Sequence, residues 1–156
     1  MANNSVAVKI SSFNGGLTIK GSVNNVEDVD ILVDTGAEES IINYNLVRGV
    51  KIHKNNSTVL LAANNRPIHK IGTINIHLTF DDLTVYFTFS VVKDLLYDCV
   101  LGVDFGYEYG LHIDLSNDIV YIHKQKTVKR LSDTSNEKMH KKYHKWARLT
   151  EYKKNN

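Results

Sequence analysis

Two stretches of strict two-residue alternation limit what this chain can fold into. Ile74, Ile76, Leu78 and Phe80 are apolar while Asn75, His77 and Thr79 between them are polar, and Val85, Phe87, Phe89 and Val91 repeat the pattern after Asp81-Asp82. A period of two places alternate side chains on opposite faces of an extended strand, so the two stretches predict one hairpin with an apolar face. More strand material is at hand to bury that face. Val6, Val8 and Ile10, then Leu17 and Ile19, flank the turn residues Asn14-Gly15-Gly16, and Leu111, Ile113 and Leu115 pair with Val120 and Ile122 around Ser116-Asn117-Asp118. Many short strands with regular turn signals predict an all-β domain, a small closed antiparallel barrel or sandwich. The one helix expected inside it begins near Val103 and is ended by Gly110.

The chain has 156 residues and is 42% apolar, enough for one domain with a sizeable core plus an appendage. A single cysteine, Cys99, rules out an intramolecular disulfide framework, and its apolar surroundings predict a buried, inert thiol. Neither a signal-peptide core nor an apolar run of membrane-spanning length is present, which predicts a cytoplasmic or particle-enclosed protein with no membrane partner.

Charge divides the chain near Lys124. Residues 1–123 carry eight Lys/Arg against fourteen Asp/Glu, whereas 124–156 carry eleven against three. We read 1–123 as the folded domain and 124–156 as a basic linker and tail. Thr127 to Asn136 is polar, and Asn136 could cap a helix in which Met139, Tyr143, Trp146, Ala147 and Thr150 share one face, with Lys138, Lys141, Lys142, Lys145 and Arg148 over the remainder. Such a basic amphipathic segment has three readings. It docks on the domain or its dimer mate, favoured because Trp146 and Tyr143 want burial; it binds nucleic acid; or it is a residual join in a polyprotein. His140 and His144 stand one helical turn apart, a zinc-compatible spacing. Three neighbouring lysines and the lack of a Glu after the first His argue against a metal there, and neither metal nor cofactor is expected.

The chemistry is carried by Asp34-Thr35-Gly36-Ala37, directly after the apolar run Ile31-Leu32-Val33. A carboxylate at the end of a buried strand must be hydrogen-bonded, paired or chemically useful to offset its desolvation. The plain alternative is an Asp that caps a turn. A second apolar strand, Cys99-Val100-Leu101, runs into Gly102-Val103-Asp104-Phe105. Between the two motifs, Thr58 to Leu61 and Arg66 to Ile68 read as extended arms around an Asn64-Asn65 tip, which is either an ordinary surface hairpin or a substrate-covering one.

Taken together, Asp34-Thr35-Gly36-Ala37 and the later Leu101-Gly102-x-Asp104 segment resemble the retropepsin-like aspartic proteases of retroviruses and long-terminal-repeat retrotransposons, over about residues 5 to 123. The flanking sequence is closer to the retrotransposon branch, since Val103 stands where retroviral enzymes usually carry Arg. The resemblance implies that Asp34 is catalytic, that Thr35 braces the two active-site loops, and that Gly36 and Ala37 line the cleft floor. It makes the Asn64-Asn65 hairpin a flap closing over substrate with Arg66 at its foot, and gives Leu101, Gly102 and Asp104 structural support of the site. Glu38 and Glu39 fall where the family often has acids that contact the substrate backbone or a subunit-bridging cation; with no Arg at 103, Glu38 is left to another basic residue or to solvent. Retroviral members close their dimer with interleaved chain ends, an arrangement that the residues after His123 could block, replace or extend.

Peptide hydrolysis needs an activated water and a proton donor, and two facing carboxylates sharing one proton supply both. One chain offers a single Asp-Thr-Gly, and Asp104, heading a helix, suits capping or an ion pair better than catalysis. A two-fold dimer supplies the second Asp34. The expectation is a homodimeric aspartic endopeptidase acting on extended peptide or polyprotein and most active on the acid side of neutrality. The alternative is a catalytically silent retropepsin-like module for dimerisation or nucleic-acid binding through 124–156. An element-borne enzyme and a domesticated cellular one would carry the same site.

Overall fold

The computed structural model of the chain describes residues 4–13, 15–54, 59–61 and 66–124. Ten strands follow in order: β1 (Ser5–Phe13), β2 (Gly16–Val23), β3 (Val26–Val33), β4 (Ile41–Asn43), β5 (Val59–Leu61), β6 (Pro67–Phe80), β7 (Leu83–Val92), β8 (Cys99–Leu101), β9 (His112–Asp114) and β10 (Ile119–His123), with one helix, α1 (Val103–Tyr109). Their sheet order is β5-β6-β7-β4-β8-β3-β2-β1-β10-β9, and a further pairing of β6 with β2 joins the run from β6 to β2 into a closed barrel. Mostly β with one short helix, this is the all-β barrel the alternation predicts.

The β6–β7 hairpin forms as expected. Phe80 pairs with Leu83 across Asp81 and Asp82, and Asp81 takes a positive φ of 50°. Along β7, Leu83, Val85, Phe87 and Phe89 are buried while Thr84, Tyr86 and Thr88 face out. The inward residues meet Ile19, Ile31, Ile42 and Leu101 in one core.

Some elements depart from the sequence reading. Two ladders are parallel, β3 with β8 and β4 with β7, so the barrel is mixed rather than wholly antiparallel. The short β4 and the 3₁₀ turn at Tyr44–Leu46 were not anticipated, and β6 runs as one 14-residue strand from the arm beside β5 into the hairpin. Leu115 lies outside β9 and is 69% exposed. The strand ends at Asp114, whose carboxylate accepts from Ser116 Oγ and from Asn117 N and Nδ2 and so folds the chain into a turn. As expected, α1 starts at Val103 and stops at Gly110, whose left-handed φ of 57° a glycine adopts without strain. Cys99 is fully buried, and burial pushes its thiol well above the ordinary range. Among the described residues no helix is long and apolar enough to cross a membrane, and no three potential metal ligands cluster. The basic segment, including His140 and His144, lies outside the described residues.

Candidate active site

β3 delivers Asp34 to the end of the barrel, where Ile31 and Val33 anchor the strand in the core. The loop that follows is bound to the β8–α1 segment by backbone. Asp34 N donates to Leu101 O at 2.9 Å, and Val103 N donates to Ala37 O at 2.9 Å. Within the loop, Ala37 N reaches Asp34 O at 3.1 Å and Gly36 N donates to Asp34 Oδ1 at 2.8 Å. One carboxylate oxygen is thereby held inside its own turn. Asp34 is half-buried in a single chain and Thr35 is exposed.

Gly102 is what allows the two segments to come this close. A Cβ on it would stand 2.6 Å from Ala37 O and 2.9 Å from both Glu39 C and O, all backbone atoms. Its amide donates to Ser40 Oγ at 3.0 Å. Ser40 in turn donates twice to Asp104, from its amide to Oδ2 at 3.0 Å and from its hydroxyl to Oδ1 at 2.7 Å. Asp104 also accepts from Phe105 N at 2.8 Å, so it holds the first turn of α1. It bonds an amide in the first turn of the helix, its other partner is a serine, and none of these bonds comes from a group of opposite charge. Burial is the main influence on Asp104 and raises its pKa above 3.8; hydrogen bonds from Ser40 and Phe105 oppose it, and the charge on Glu39 adds to it.

Glu39 is tied down by Ser90 Oγ at 2.6 Å and Lys70 Nζ at 3.4 Å. Glu38 is half-buried rather than left to solvent. Of the residues expected at the flap, Arg66 is exposed at the start of β6, whereas Asn64 and Asn65 lie outside the described residues. The arms below them pair as Val59 with His69, Leu60 with Ile68 and Leu61 with Pro67.

Two cavities flank α1. The smaller, about 300 Å³, holds Asp34 and Thr35 together with Gly102, Tyr107, Leu111 and Ile113. The larger, about 700 Å³, lies away from Asp34 on the outer face of the β6–β7 hairpin and takes in Glu39, Asp104 and Glu108. The site residues therefore divide. Asp34, Thr35, Leu101 and Gly102 share one cavity, and Glu39 and Asp104 belong to the other. The partners Ser40, Ser90 and Lys70 escaped the sequence reading, because nothing in a single sequence links positions 31 to 64 residues apart.

The family model described as "gag-polyprotein putative aspartyl protease" matches residues 19–105, a span running from β2 through the Asp34 turn to the start of α1. The chain belongs to this family and has the retropepsin-like aspartic protease fold. Among solved structures it is similar to the retroviral protease-like domain of Ddi1 from Leishmania major, at 23% identity over 76% of this chain and 97% of that one, with a TM-score of 0.56. It is also similar to a retropepsin-like aspartic protease from Rickettsia conorii, at 20% identity over 76% of this chain and 89% of that one, with a TM-score of 0.52. No curated protein matches it in sequence.

Proposed function

We propose that the protein is a homodimeric aspartic endopeptidase whose catalytic group is a pair of Asp34 carboxylates, one from each copy, acting on extended segments of a polyprotein. The observation that carries this reading is the setting of Asp34: a half-buried carboxylate on a turn bonded to the Leu101–Val103 backbone, opening into a cavity shared with β9. One chain brings one such carboxylate. Asp104 is engaged by Ser40 beside the other cavity and does not serve as its partner.

In the dimer, one Asp34 is ionised and the other protonated, because two close carboxylates do not both ionise readily. The ionised one takes a proton from water as its oxygen attacks the peptide carbonyl carbon, while the protonated one donates to the carbonyl oxygen. Collapse of the tetrahedral intermediate delivers a proton to the amide nitrogen and breaks the C–N bond. Thr35, Gly36 and Ala37 shape the floor. The β5–β6 arms with Asn64, Asn65 and Arg66 cover the substrate, and Glu38 contacts it at the end of the cleft, whereas Glu39, held by Ser90 and Lys70 beside the other cavity, does not. Main-chain hydrogen bonds to an extended peptide supply affinity, with alternate side-chain pockets selecting sequence.

The first and last described strands favour a dimer unlike the interleaved one. Ser5 to Lys9 of β1 already pair with His123 to Ile119 of β10 in the same chain. Among the described residues β9 pairs with β10 alone, so its other edge is available to the second copy beside Asp34.

The test is cleavage of a complex peptide library from about pH 4 to about pH 8, with Asp34→Asn run alongside. Cleavage by the wild type alone, strongest in mild acid, pepstatin-sensitive and lost faster than linearly on dilution, is the expected result. Peptidase activity that survives Asp34→Asn refutes the proposal.

A further inference from the structure

The outer face of the β6–β7 hairpin is built for contact. Tyr86 at its centre is 61% exposed, and the His77 ring lies against it at a centroid distance of 3.6 Å. Beside these rings opens the cavity of about 700 Å³, with three carboxyl side chains, Glu39, Asp104 and Glu108, against one ammonium group, Lys70. An aromatic platform with an acidic flank fits a basic segment that carries aromatic side chains.

The chain supplies such a segment at this place. β10 ends beside the hairpin's turn, where Lys124 Nζ pairs with Asp82 Oδ2 at 2.8 Å. Residues 125–156 then carry ten Lys/Arg against three Asp/Glu, with Tyr143 and the chain's single tryptophan, Trp146, on the same face by spacing. The distances agree as well. Asp82 to Tyr86 is about 13 Å along β7 at the usual rise per residue. The polar stretch 125–136, treated as a coil, spans about 20 Å. A tether of this length also raises the local concentration of the tail at the face to the millimolar scale.

We propose that the basic segment 125–156 docks on the outer face of its own β6–β7 hairpin, with Trp146 or Tyr143 against Tyr86 and its lysines toward Glu108 and Glu39. This interaction is independent of the catalytic reading and stands or falls without it.

Trp146 is a built-in reporter in the full-length chain. Its acrylamide quenching and emission maximum are compared in the wild type, in Tyr86→Ser/Glu108→Gln, and in Val26→Ser/Glu27→Gln on exposed positions of β3. Docking gives a shielded, blue-shifted tryptophan whose quenching constant rises at least two-fold in the first variant and not in the second. In about 1 M salt, where the Debye length is about 3 Å, part of that shielding is also lost. Unchanged melting curves exclude unfolding as the cause. Carbodiimide cross-links from Lys138, Lys141, Lys142 or Lys145 to Glu108 or Glu39 should form within one chain when isotopically light and heavy proteins are mixed. A wild-type Trp146 as accessible as free indole, equal shielding in both variants, shielding only on adding an RNA oligonucleotide, or cross-links only between chains would each overturn the proposal.

Discussion

Gly102→Ala tests the architecture of the site most sharply. The added methyl would meet Ala37 O at 2.6 Å and the Glu39 carbonyl at 2.9 Å. Ordinary contact begins at 3.4 Å, so one segment must back away by roughly 0.8 Å. The obstacle is backbone, which no rotamer change relieves. Overpacking of this kind costs about 1–3 kcal/mol. For a chain of this size each kcal/mol lowers the melting temperature by about 2–4 °C, so a fall of roughly 2–12 °C is expected in thermal unfolding followed by circular dichroism. The displaced segment is the one that bonds Asp34 N through Leu101 O, and a misplacement approaching 1 Å costs about 100-fold in rate. Peptidase kcat should therefore fall by that order while the fold persists.

Gly106→Ala is the matched comparison. The nearest atom to its new Cβ is Leu111 Cβ at 3.8 Å, ordinary contact, and it sits within α1. Alanine there should be neutral or stabilise by about 0.5–1 kcal/mol, since glycine is the poorer helix former. A Gly102→Ala protein that melts with the wild type, or one no less stable than Gly106→Ala, would refute the claim that close backbone contact sets the position of the Asp34 turn.

Three further outcomes follow from the same geometry. Phe105→Ala removes a fully buried ring that packs edge-on against Phe87 at 5.2 Å and beside Tyr109 at 5.0 Å, and should cost about 3–5 kcal/mol by chemical denaturation. Ser40→Ala deprives the Gly102 amide of its acceptor and Asp104 of its hydroxyl donor, and should cost about 1–3 kcal/mol with a larger loss of kcat than of substrate affinity. The unfolded Asp104 carboxyl ionises near 3.8, while burial makes the folded one keep its proton to higher pH. Between those values the folded chain binds more protons, so the stability this group lends is full below the lower value and is lost as pH rises through the higher one. Measured against the non-titrating Asp104→Asn, the wild type should lose relative stability as pH rises through that window, and a rise instead would show that the hydrogen bonds outweigh burial.

The hairpin of β6 and β7 was legible because one of its faces is buried and the other wet, which writes a period of two into the residues. β4 has no such signature. It is a three-residue strand held between neighbours, and Ile41–Asn43 joins the sheet only through partners distant in sequence, whereas the equally short β8 could be read from its apolar run. The start of β3 was hidden by Glu27, Asp28 and Asp30, polar because that stretch is partly solvated. Asn-Asn turn chemistry was sought at 64–65, yet it also operates between β2 and β3, where Asn24 and Asn25 take φ of 50° and 65° as Val23 pairs with Val26. Asp34 and Gly102 could be picked out because each needs a particular residue type at a strand end. Ser40, Lys70 and Ser90 could not, since their roles exist only once the barrel has brought them to Glu39 and Asp104.

What braces the Asp34 turn here is a short helix with three faces. Phe105 and Tyr109 are buried, four residues apart, and fix the helix to the core. Val103, Gly106 and Tyr107 turn toward the cavity that holds Asp34, while Asp104 and Glu108, again four apart, turn toward the cavity on the hairpin's outer face. Asp104 reaches across to Ser40, and Ser40 reaches back to Gly102. That chain of bonds runs from α1 to the far end of the Asp34 loop and returns to the residue on which the loop packs. Its hydroxyl–carboxylate member is the shortest, at 2.7 Å, and Asp104 holds both the loop and the first turn of the helix with one carboxylate. The Asp34 turn and the helix are therefore bonded to each other, so a substitution on the core side of α1, at Phe105 or Tyr109, should be felt at Asp34 although neither residue lines that cavity.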